Sequence, residues 1–196
     1  MMKKVVSMLL ISVFAFVLTG GNAMAYQYFN FYRMEGGISE GHYSIQTSVT
    51  VVYNGKTYYI MRAFNNAFTD WRQRSIANLV SGNLTDAKVV AYSVDLDDKH
   101  LYGICIWYKG STRMDIPNDH WTKAYIALNL KGIDYHQLTE TEYTAVAAHE
   151  IGHAFGLAHD VGTAQKPKIM DEAFLVKGWY VPQDDDVTGV RKLYEL

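Results

Sequence analysis

The residues best suited to chemistry lie in one short stretch, the run HEIGHAFGLAHD at residues 149–160. On a helix, side chains four residues apart share a face, so His149 and His153 can direct two imidazoles at one metal ion. Gly156 predicts the end of that helix, because glycine takes the left-handed backbone conformation without steric cost. The chain can then reverse and bring His159 back as a third ligand. Three nitrogen ligands leave the fourth tetrahedral position open, which is typical of catalytic rather than structural zinc.

Glu150 follows the first of these histidines and can reach a water molecule at the open position without binding the ion. A carboxylate placed there is typical of a general base. HExxH alone is a moderately specific pattern, but the longer H-E-x-x-H-x-x-G-x-x-H is a strong signal. The alternative is that Glu150 is a surface charge and the histidines are unrelated polar residues. That alternative leaves their spacing around a turn glycine unexplained.

Local signals predict the helices that must position these residues. The run TETE at residues 139–142 is a capping box, in which the first threonine accepts the backbone N–H of the last glutamate and that glutamate reaches back. A helix is predicted from there to about Phe155. The acids at 184–186 suit the start of a last helix, whose apolar residues recur on one face through 187–194. We interpret these acids as a cap and a solvated first turn rather than as a metal site.

The earlier part of the chain alternates between strand and helix patterns. A strand is predicted at residues 43–53, followed by a turn at Asn54-Gly55. From Thr57, apolar residues recur at three- and four-residue steps, as on a helix packed against a sheet. An irregular segment is predicted at 110–122. This order predicts an α/β fold with one mixed sheet, because three further strand patterns follow, at 88–95, 100–108 and about 123–130.

The first 25 residues have the pattern of a secretory signal peptide. A basic head ending at Lys4 is followed by an apolar run from Val5 to Leu18 and by Ala23-Met24-Ala25, a small-residue cleavage pattern. The alternative is a membrane anchor, which is disfavoured because the apolar run is too short to span a bilayer. We therefore expect residues 1–25 to be removed and residues 26–196 to form a single secreted, extracellular domain.

Composition and charge exclude several classes of protein. The 196 residues are 49% hydrophobic and 19% charged, which suits a folded globular domain and excludes general disorder. The formal charge of −2 becomes −4 when Lys3 and Lys4 leave with the signal peptide. A mildly acidic chain without a basic run suits neither nucleic acid nor an anionic membrane, so neither is expected as a partner. A monomer is expected.

Cys105 is the single cysteine, so an internal disulfide is excluded and stability must come from packing and bound metal. It lies in a strand-like run at residues 103–107. We interpret it as a small buried hydrophobic residue. The alternative is an inhibitory thiolate bound to the metal.

The run at residues 149–160 resembles the zinc signature of the metzincin metallopeptidases. Met170, eleven residues after His159, ends a short run that resembles their Met-turn, in which a methionine packs beneath the metal ligands. Residues 185–194 are similar to the closing helix of the matrixins, the matrix-metalloproteinase group, whereas Asp160 is more like the adamalysins. The chain as a whole is identified as a matrixin-like metzincin of the bacterial, secreted type.

This resemblance implies the fold in more detail. It implies an α/β domain of the α+β metzincin kind, with a mixed, mostly parallel twisted sheet and an antiparallel edge strand. Two long helices, one carrying the zinc signature, and a C-terminal helix complete it. An extended peptide or protein substrate is expected to pair with a strand of the sheet, for which we expect residues 123–130. Residues 171–182, with Phe174, Trp179 and Tyr180, are expected to wall the pocket beyond the scissile bond.

The resemblance also implies the activity. The expected function is that of a secreted zinc metalloendopeptidase, a hydrolase of peptide bonds in extracellular proteins or peptides. One catalytic Zn²⁺ is expected on the three histidines of the signature, with Glu150 as the general base to a zinc-activated water. Gly156 and Met170 are expected to support the site.

Two other functions stay open. A secreted zinc-binding adhesion domain of metzincin fold would hold the metal without turnover, but Glu150 is of no use for binding zinc alone. A non-peptidase zinc hydrolase that uses HExxH is disfavoured by Gly156, His159 and Met170.

Structural metals are a further hypothesis. Family members use histidines that precede the active-site helix for a second, structural Zn²⁺, and the candidates in this chain are His100, His120 and His136. Isolated histidines are more often surface residues. The acidic loops that bind structural Ca²⁺ in vertebrate matrixins are not recognisable in the sequence.

Overall fold

The computed structural model describes residues 26–75, 77–160 and 166–194. The signal-peptide prediction for residues 1–25 lies outside the described residues. Within them, no helix combines the length and the apolar character needed to cross a membrane.

The strands in chain order are β1 (Gln27–Tyr28), β2 (His42–Ile45), β3 (Val51–Tyr53), β4 (Lys56–Tyr58), β5 (Val80–Ser81), β6 (Ala87–Val94), β7 (Gly103–Lys109), β8 (Thr112–Met114), β9 (Lys123–Asn129) and β10 (Leu157–Ala158). The helices are α1 (Ile60–Arg74), α2 (Leu130–Tyr135), α3 (Glu140–Ala154) and α4 (Asp184–Tyr194).

The central sheet has six strands in the order β5-β2-β6-β9-β7-β8. The strands β5, β2, β6 and β9 run parallel to one another, whereas β7 runs antiparallel to β9 and β8 runs antiparallel to β7. Two short pairs, β1 with β10 and β3 with β4, stand apart from this sheet. The predicted fold class, a mixed and mostly parallel sheet with an antiparallel edge and a helix over the zinc signature, is confirmed.

The prediction that residues 123–130 pair with substrate is wrong. The strand β9 lies between β6 and β7 and pairs with both along its length. Five of its seven residues are buried, as expected for an inner strand covered on both faces. The free edge of the sheet beside α3 is formed by residues 103–106 of β7 instead. Because β8 pairs only with Trp107–Lys109, no strand among the described residues pairs with the outer side of residues 103–106.

The single strand predicted at 43–53 is in fact two elements. The strand β2 ends at Ile45, and β3 belongs to a separate hairpin with β4. The predicted turn at Asn54-Gly55 is confirmed. Both residues have positive φ, 48° and 76°, as in a two-residue loop that joins the strands of a hairpin. This hairpin uses Thr57 and Tyr58, and α1 begins at Ile60, the first apolar residue of the predicted helical pattern.

The helices α1 and α3 pack against each other and against the sheet. The predicted apolar face of α1 is buried, and its largest member, Trp71, donates its indole N–H to the carbonyl of Ala148 at 2.8 Å. The capping box of α3 is confirmed. The backbone N–H of Thr139 donates to Glu142 Oε2 at 2.7 Å, and the backbone N–H of Glu142 donates to Thr139 Oγ1 at 3.4 Å. This start fixes which residues of α3 face the sheet.

Asp134 lies in α2 and links this helix to the β3–β4 hairpin by hydrogen bonds. Its carboxylate accepts hydrogen bonds from Asn54 Nδ2 at 2.9 Å, Lys56 Nζ at 2.8 Å and Tyr58 OH at 2.7 Å. These three donors favour the ionised form and lower the pKa of Asp134 to about 2.

We expect Asp134→Asn to reduce the acid sensitivity of folding. A carboxyl whose pKa is lower in the folded than in the unfolded chain contributes stability above the unfolded value of about 3.9, and this contribution is lost as pH falls towards 2. Thermal unfolding followed across that range measures the loss. Asp97→Asn, at a fully exposed side chain, is the control. An equal loss with pH in the Asp134→Asn variant and the unsubstituted protein would contradict the role of this carboxylate.

Candidate metal centre and catalytic cleft

The structure brings the three histidines of the signature together. His149 and His153 project from α3, and His159 follows β10. The Nε2 atom of His159 lies 2.9 Å from that of His149 and 3.0 Å from that of His153. Tetrahedral zinc with bonds of about 2.0–2.1 Å holds its nitrogen ligands about 3.4 Å apart, so these two distances fit zinc within a few tenths of an ångström. Among the described residues, no other group of three His, Cys, Asp or Glu side chains converges in this way.

Backbone carbonyls orient two of the three imidazole rings. The Nδ1 atom of His149 lies 2.8 Å from the carbonyl oxygen of Ile169, and that of His153 lies 2.8 Å from the carbonyl oxygen of Leu157. A carbonyl can only accept, so each Nδ1 carries the proton and each Nε2 lone pair faces the centre. Burial lowers the pKa of His149 to about 3 and that of His153 well below its usual value. Both rings are therefore neutral, as metal ligands must be.

Gly156 makes the reversal that returns His159 to the site. The helix ends at Ala154, and Gly156 has φ +103°, a conformation that side chains rarely adopt. A Cβ at this position would lie 2.5 Å from Leu193 Cδ2 and 3.1 Å from the carbonyl oxygen of Tyr32. Both the conformation and the space therefore require glycine.

Glu150 is buried on the side of α3 that faces β7. Its side chain packs against Gly103, where a Cβ would lie 2.6 Å from Glu150 Oε1 and 2.8 Å from its Cγ. Burial raises the pKa of Glu150 to about 8, so the carboxyl can hold a proton near neutral pH. The sequence analysis missed Gly103. Its one signal was a glycine inside a strand pattern, which often marks a close approach of another group.

Met170 packs against α3 at Gly152, the residue before His153. It is buried, and its sulfur lies where a Cβ on Gly152 would have to be. The adjacent carbonyl, that of Ile169, is the one that orients His149. The position of this turn therefore bears directly on the geometry of a ligand.

Asp186 holds that turn in place. Its carboxylate accepts the backbone N–H of Ile169 at 2.7 Å, of Met170 at 3.2 Å and of Gln183 at 2.8 Å. The interpretation of the acids at 184–186 as a solvated first turn is wrong for this residue, which is 2% exposed. Burial raises its pKa to about 6, against the opposing effect of the three donors. Asp186 lies four residues before Val190, on the apolar face of α4, and this position was the signal that the sequence offered.

A buried ion pair joins the third histidine to the same turn. Lys168 Nζ donates to the carboxylate of Asp160, and the two side chains are 1% and 2% exposed. The backbone N–H of Asp160 donates to the carbonyl of Met170 at 3.0 Å. The residue after His159 is thus fastened to the residues on either side of Ile169.

The histidines and Glu150 lie in a cleft of about 800 Å³ between β7 and α3. At the His149 end of the cleft, the ring of Phe174 stacks on His149 at a centroid distance of 4.8 Å. At the His153 end, the ring centroids of Phe29 and Trp107 lie 5.8 and 6.4 Å from that of His153. Tyr102, Val146 and Ala158 also line the cleft, as do Gly103, Ile104 and Cys105 from the part of β7 that β8 leaves unpaired.

The segment expected to wall the pocket contributes to it only in part. Phe174 lines the cleft, but Trp179 and Tyr180 do not. The chain turns back between them, because the backbone N–H of Trp179 donates to the carbonyl of Phe174 at 2.9 Å. Trp179 instead packs under the ammonium of Lys177, at 4.7 Å from the ring centroid.

The hypothesis of a second zinc on His100, His120 and His136 is wrong. The rings of His100 and His136 are neighbours, with centroids 5.5 Å apart. His120 lies elsewhere, where its Nδ1 accepts the backbone N–H of Arg33 at 3.1 Å. The positions of the three histidines along the chain did not indicate that His120 would lie apart from the other two.

Cys105 lines the cleft from β7 but is not a member of the ligand group. Burial, together with the charge of Glu150, raises the pKa of its thiol well above the usual value. A thiol in this environment stays protonated, which favours the interpretation of Cys105 as a packing residue over an inhibitory thiolate.

We expect Lys168→Met to weaken both the fold and the metal site. Removal of one partner of a buried ion pair costs about 3–5 kcal/mol, and displacement of groups that orient ligands lowers metal affinity roughly 10- to 100-fold. Chemical unfolding and a zinc-affinity titration measure the two effects. Lys109→Met, which removes a half-exposed partner of Asp119, is the matched control. A Lys168→Met variant with unchanged stability and zinc affinity would contradict the role of the pair.

Comparison with known proteins agrees with this geometry. A family model described as Matrixin matches residues 41–195, a range that includes the three histidines, Glu150 and Met170. A search of curated proteins finds no significant match. The matched range covers most of the chain, and a histidine triad that can hold a metal ion lies within it. The chain therefore belongs to the matrixins, a family of zinc-dependent metalloendopeptidases.

Proposed function

We propose that this protein is a secreted zinc endopeptidase that cleaves extracellular proteins or peptides, with Glu150 as its general base. The observation that carries the proposal is the convergence of three imidazoles, two of them neutral through burial, beside a buried carboxyl in an open cleft. Zinc held by these imidazoles would lower the pKa of a water molecule to about 7 and polarise the scissile carbonyl. The remaining tasks fall to side chains and backbone groups of this chain.

Glu150 is suited to move the proton. Its carboxylate takes a proton from the attacking water at one oxygen and delivers it to the nitrogen of the leaving amine. Both transfers need a carboxylate that is ionised before the reaction and readily protonated during it. Burial raises the pKa of Glu150, and the charge of a bound zinc ion would favour the ionised form that accepts the proton. The packing of its Cγ and Oε1 against Gly103 keeps the carboxylate on the cleft side of α3.

The border of β7 is suited to hold an extended peptide. Its outer side at residues 103–106 lies along the cleft, and no described strand pairs with it. A substrate backbone can therefore add to the sheet there and present its side chains alternately to the cleft and to solvent. This arrangement favours an extended peptide or an unfolded stretch of a protein as the substrate.

Secretion is proposed on the pattern at residues 1–25 alone. Removal of this segment would leave a mildly acidic monomeric domain that begins at Tyr26 and acts outside the cell.

The buried Glu150 also argues against an adhesion domain without turnover, because burial of a carboxyl costs free energy and contributes nothing to zinc binding.

The proposal is tested by hydrolysis of casein and of a quenched peptide library by the zinc-loaded protein. We expect Glu150→Ala to retain zinc and to lose turnover by a factor of about 100 or more, because proton transfer is typically worth that much. His153→Ala is expected to lose zinc and to unfold at a lower temperature, because a ligand bound only to the folded state stabilises it. A chelator should abolish activity in the unsubstituted protein.

Each outcome of that experiment discriminates between functions. Cleavage that is lost in Glu150→Ala and with the chelator supports the endopeptidase. Turnover retained by Glu150→Ala would remove this residue as the base. Folded, zinc-loaded protein that cleaves none of the peptides would favour the zinc-binding domain without turnover.

We expect Gly103→Ala to lower the turnover number while zinc binding is kept. The added Cβ would stand 2.6 Å from Glu150 Oε1 and 3.0 Å from the carbonyl of Ala127, so the carboxylate must move. None of the three atoms nearest to the added Cβ belongs to a histidine, and zinc occupancy measured on the same samples serves as the internal control. Unchanged turnover in a variant that still holds zinc would show that the position of Glu150 is not critical.

A further inference from the structure

The segment before β2 builds one end of the cleft, although it lies outside the range that the matrixin family model matches. That range begins at residue 41, and Phe29 precedes it by twelve positions. The ring of Phe29 lines the cleft. It meets Trp107 edge to face at a centroid distance of 5.0 Å and lies 5.8 Å from the ring of His153.

The chain is fastened immediately before Phe29. The strand β1 pairs with β10, with Gln27 opposite Ala158 and Tyr28 opposite Leu157. The phenol of Tyr28 also donates to the carbonyl of Gly189 in α4 at 2.8 Å. Because β10 leads directly into His159, this pairing holds Phe29 at a fixed position relative to a metal ligand.

A strained turn directs the Phe29 side chain into the cleft. Asn30 and Phe31 have φ of 50° and 62°, and the backbone N–H of Tyr32 donates to the carbonyl of Phe29 at 2.9 Å. Left-handed backbone is unfavourable for residues other than glycine and is found preferentially at functional sites. The turn places Phe29 inward and leaves Phe31 62% exposed.

The chain is fastened again after the turn. The guanidinium of Arg33 donates to the carbonyl of Leu193 at 2.6 Å, and the backbone N–H of Met34 donates to Tyr194 OH at 3.0 Å. The turn that presents Phe29 is thus held on both sides, by β10 and by α4. A ring held in this way has little freedom to leave the cleft.

We propose that Phe29 determines specificity at the Trp107 end of the cleft, where it forms an apolar subsite with Trp107 and Ala158. This inference rests on the proposed peptidase function. The subsite takes a flat or branched apolar side chain of the substrate, which packs against the Phe29 ring as the substrate backbone lies along β7. Acidic side chains are disfavoured there, because the electron-rich ring faces repel a carboxylate and offer it no hydrogen-bond donor. Phe29 acts through substrate binding and not through the chemical step.

The test compares cleavage-site profiles on a peptide library randomised on both sides of the scissile bond. The proteins are produced from the full chain as the unsubstituted form, Phe29→Ala, Phe29→Leu and the control Phe31→Ala, which alters an exposed ring in the same turn. We expect Phe29→Ala to lose the apolar preference at one substrate position, with selectivity reduced roughly tenfold, as for other apolar pockets. Phe29→Leu should keep part of it, and Phe31→Ala should keep all of it.

Kinetics on single peptides separate specificity from a structural effect. For the best peptide, KM should rise in Phe29→Ala while kcat and zinc occupancy stay near those of the unsubstituted protein. For the same peptide with alanine at the selected position, the two proteins should behave alike. A uniform loss on both peptides would overturn the inference, as would a profile identical to that of the unsubstituted protein. Absence of cleavage by the unsubstituted protein would overturn the proposed function and this inference with it.

Discussion

The constraint on which the structure depends is that three imidazoles must stay neutral and bring their Nε2 atoms together, those of His149 and His153 to within about 3 Å of that of His159. Neutral imidazole is obtained by burial, which lowers the pKa of His149 and His153. Ring orientation is obtained from the carbonyls of Ile169 and Leu157. The position of two backbone segments far along the chain from α3 is therefore part of the metal site, and much of the C-terminal region serves to fix them.

The helix α3 must be buried on nearly all sides for this to work, and its own polar groups then need partners. Three indoles provide them. Trp71, Trp107 and Trp121 donate their Nε1–H groups to the carbonyls of Ala148, His153 and Ala154 at 2.8, 3.2 and 3.2 Å. Two of these carbonyls belong to the last turn, where a helix leaves its oxygens without intrahelical donors. The tryptophans thus fill the core around α3 and also provide hydrogen-bond donors for two carbonyls at its C-terminal end.

The local features of the site were predictable from sequence, whereas its long-range supports were not. The capping box and the spacing of His149 and His153 depend on residues within one helix, so pattern alone located them. The position of β9 inside the sheet depends on which strand β7 pairs with, and chain order does not fix sheet order. Gly103 packs against Glu150, and Asp186 accepts the backbone N–H of Ile169. Each partner is distant along the chain, and only the fold brings the two together.

The supports of the metal site differ from its ligands in what a substitution can do to them. The groups that orient His149 and His153 are backbone carbonyls, which no side-chain replacement can delete. A change at Asp186 acts instead through the hydrogen bonds that place the Ile169 and Met170 backbone, and so it displaces the carbonyl that orients His149 without removing it. Such shifts typically lower metal affinity by one to two orders of magnitude without abolishing binding. A site oriented by backbone groups therefore degrades gradually under substitution of its supports, while loss of a single ligand removes it.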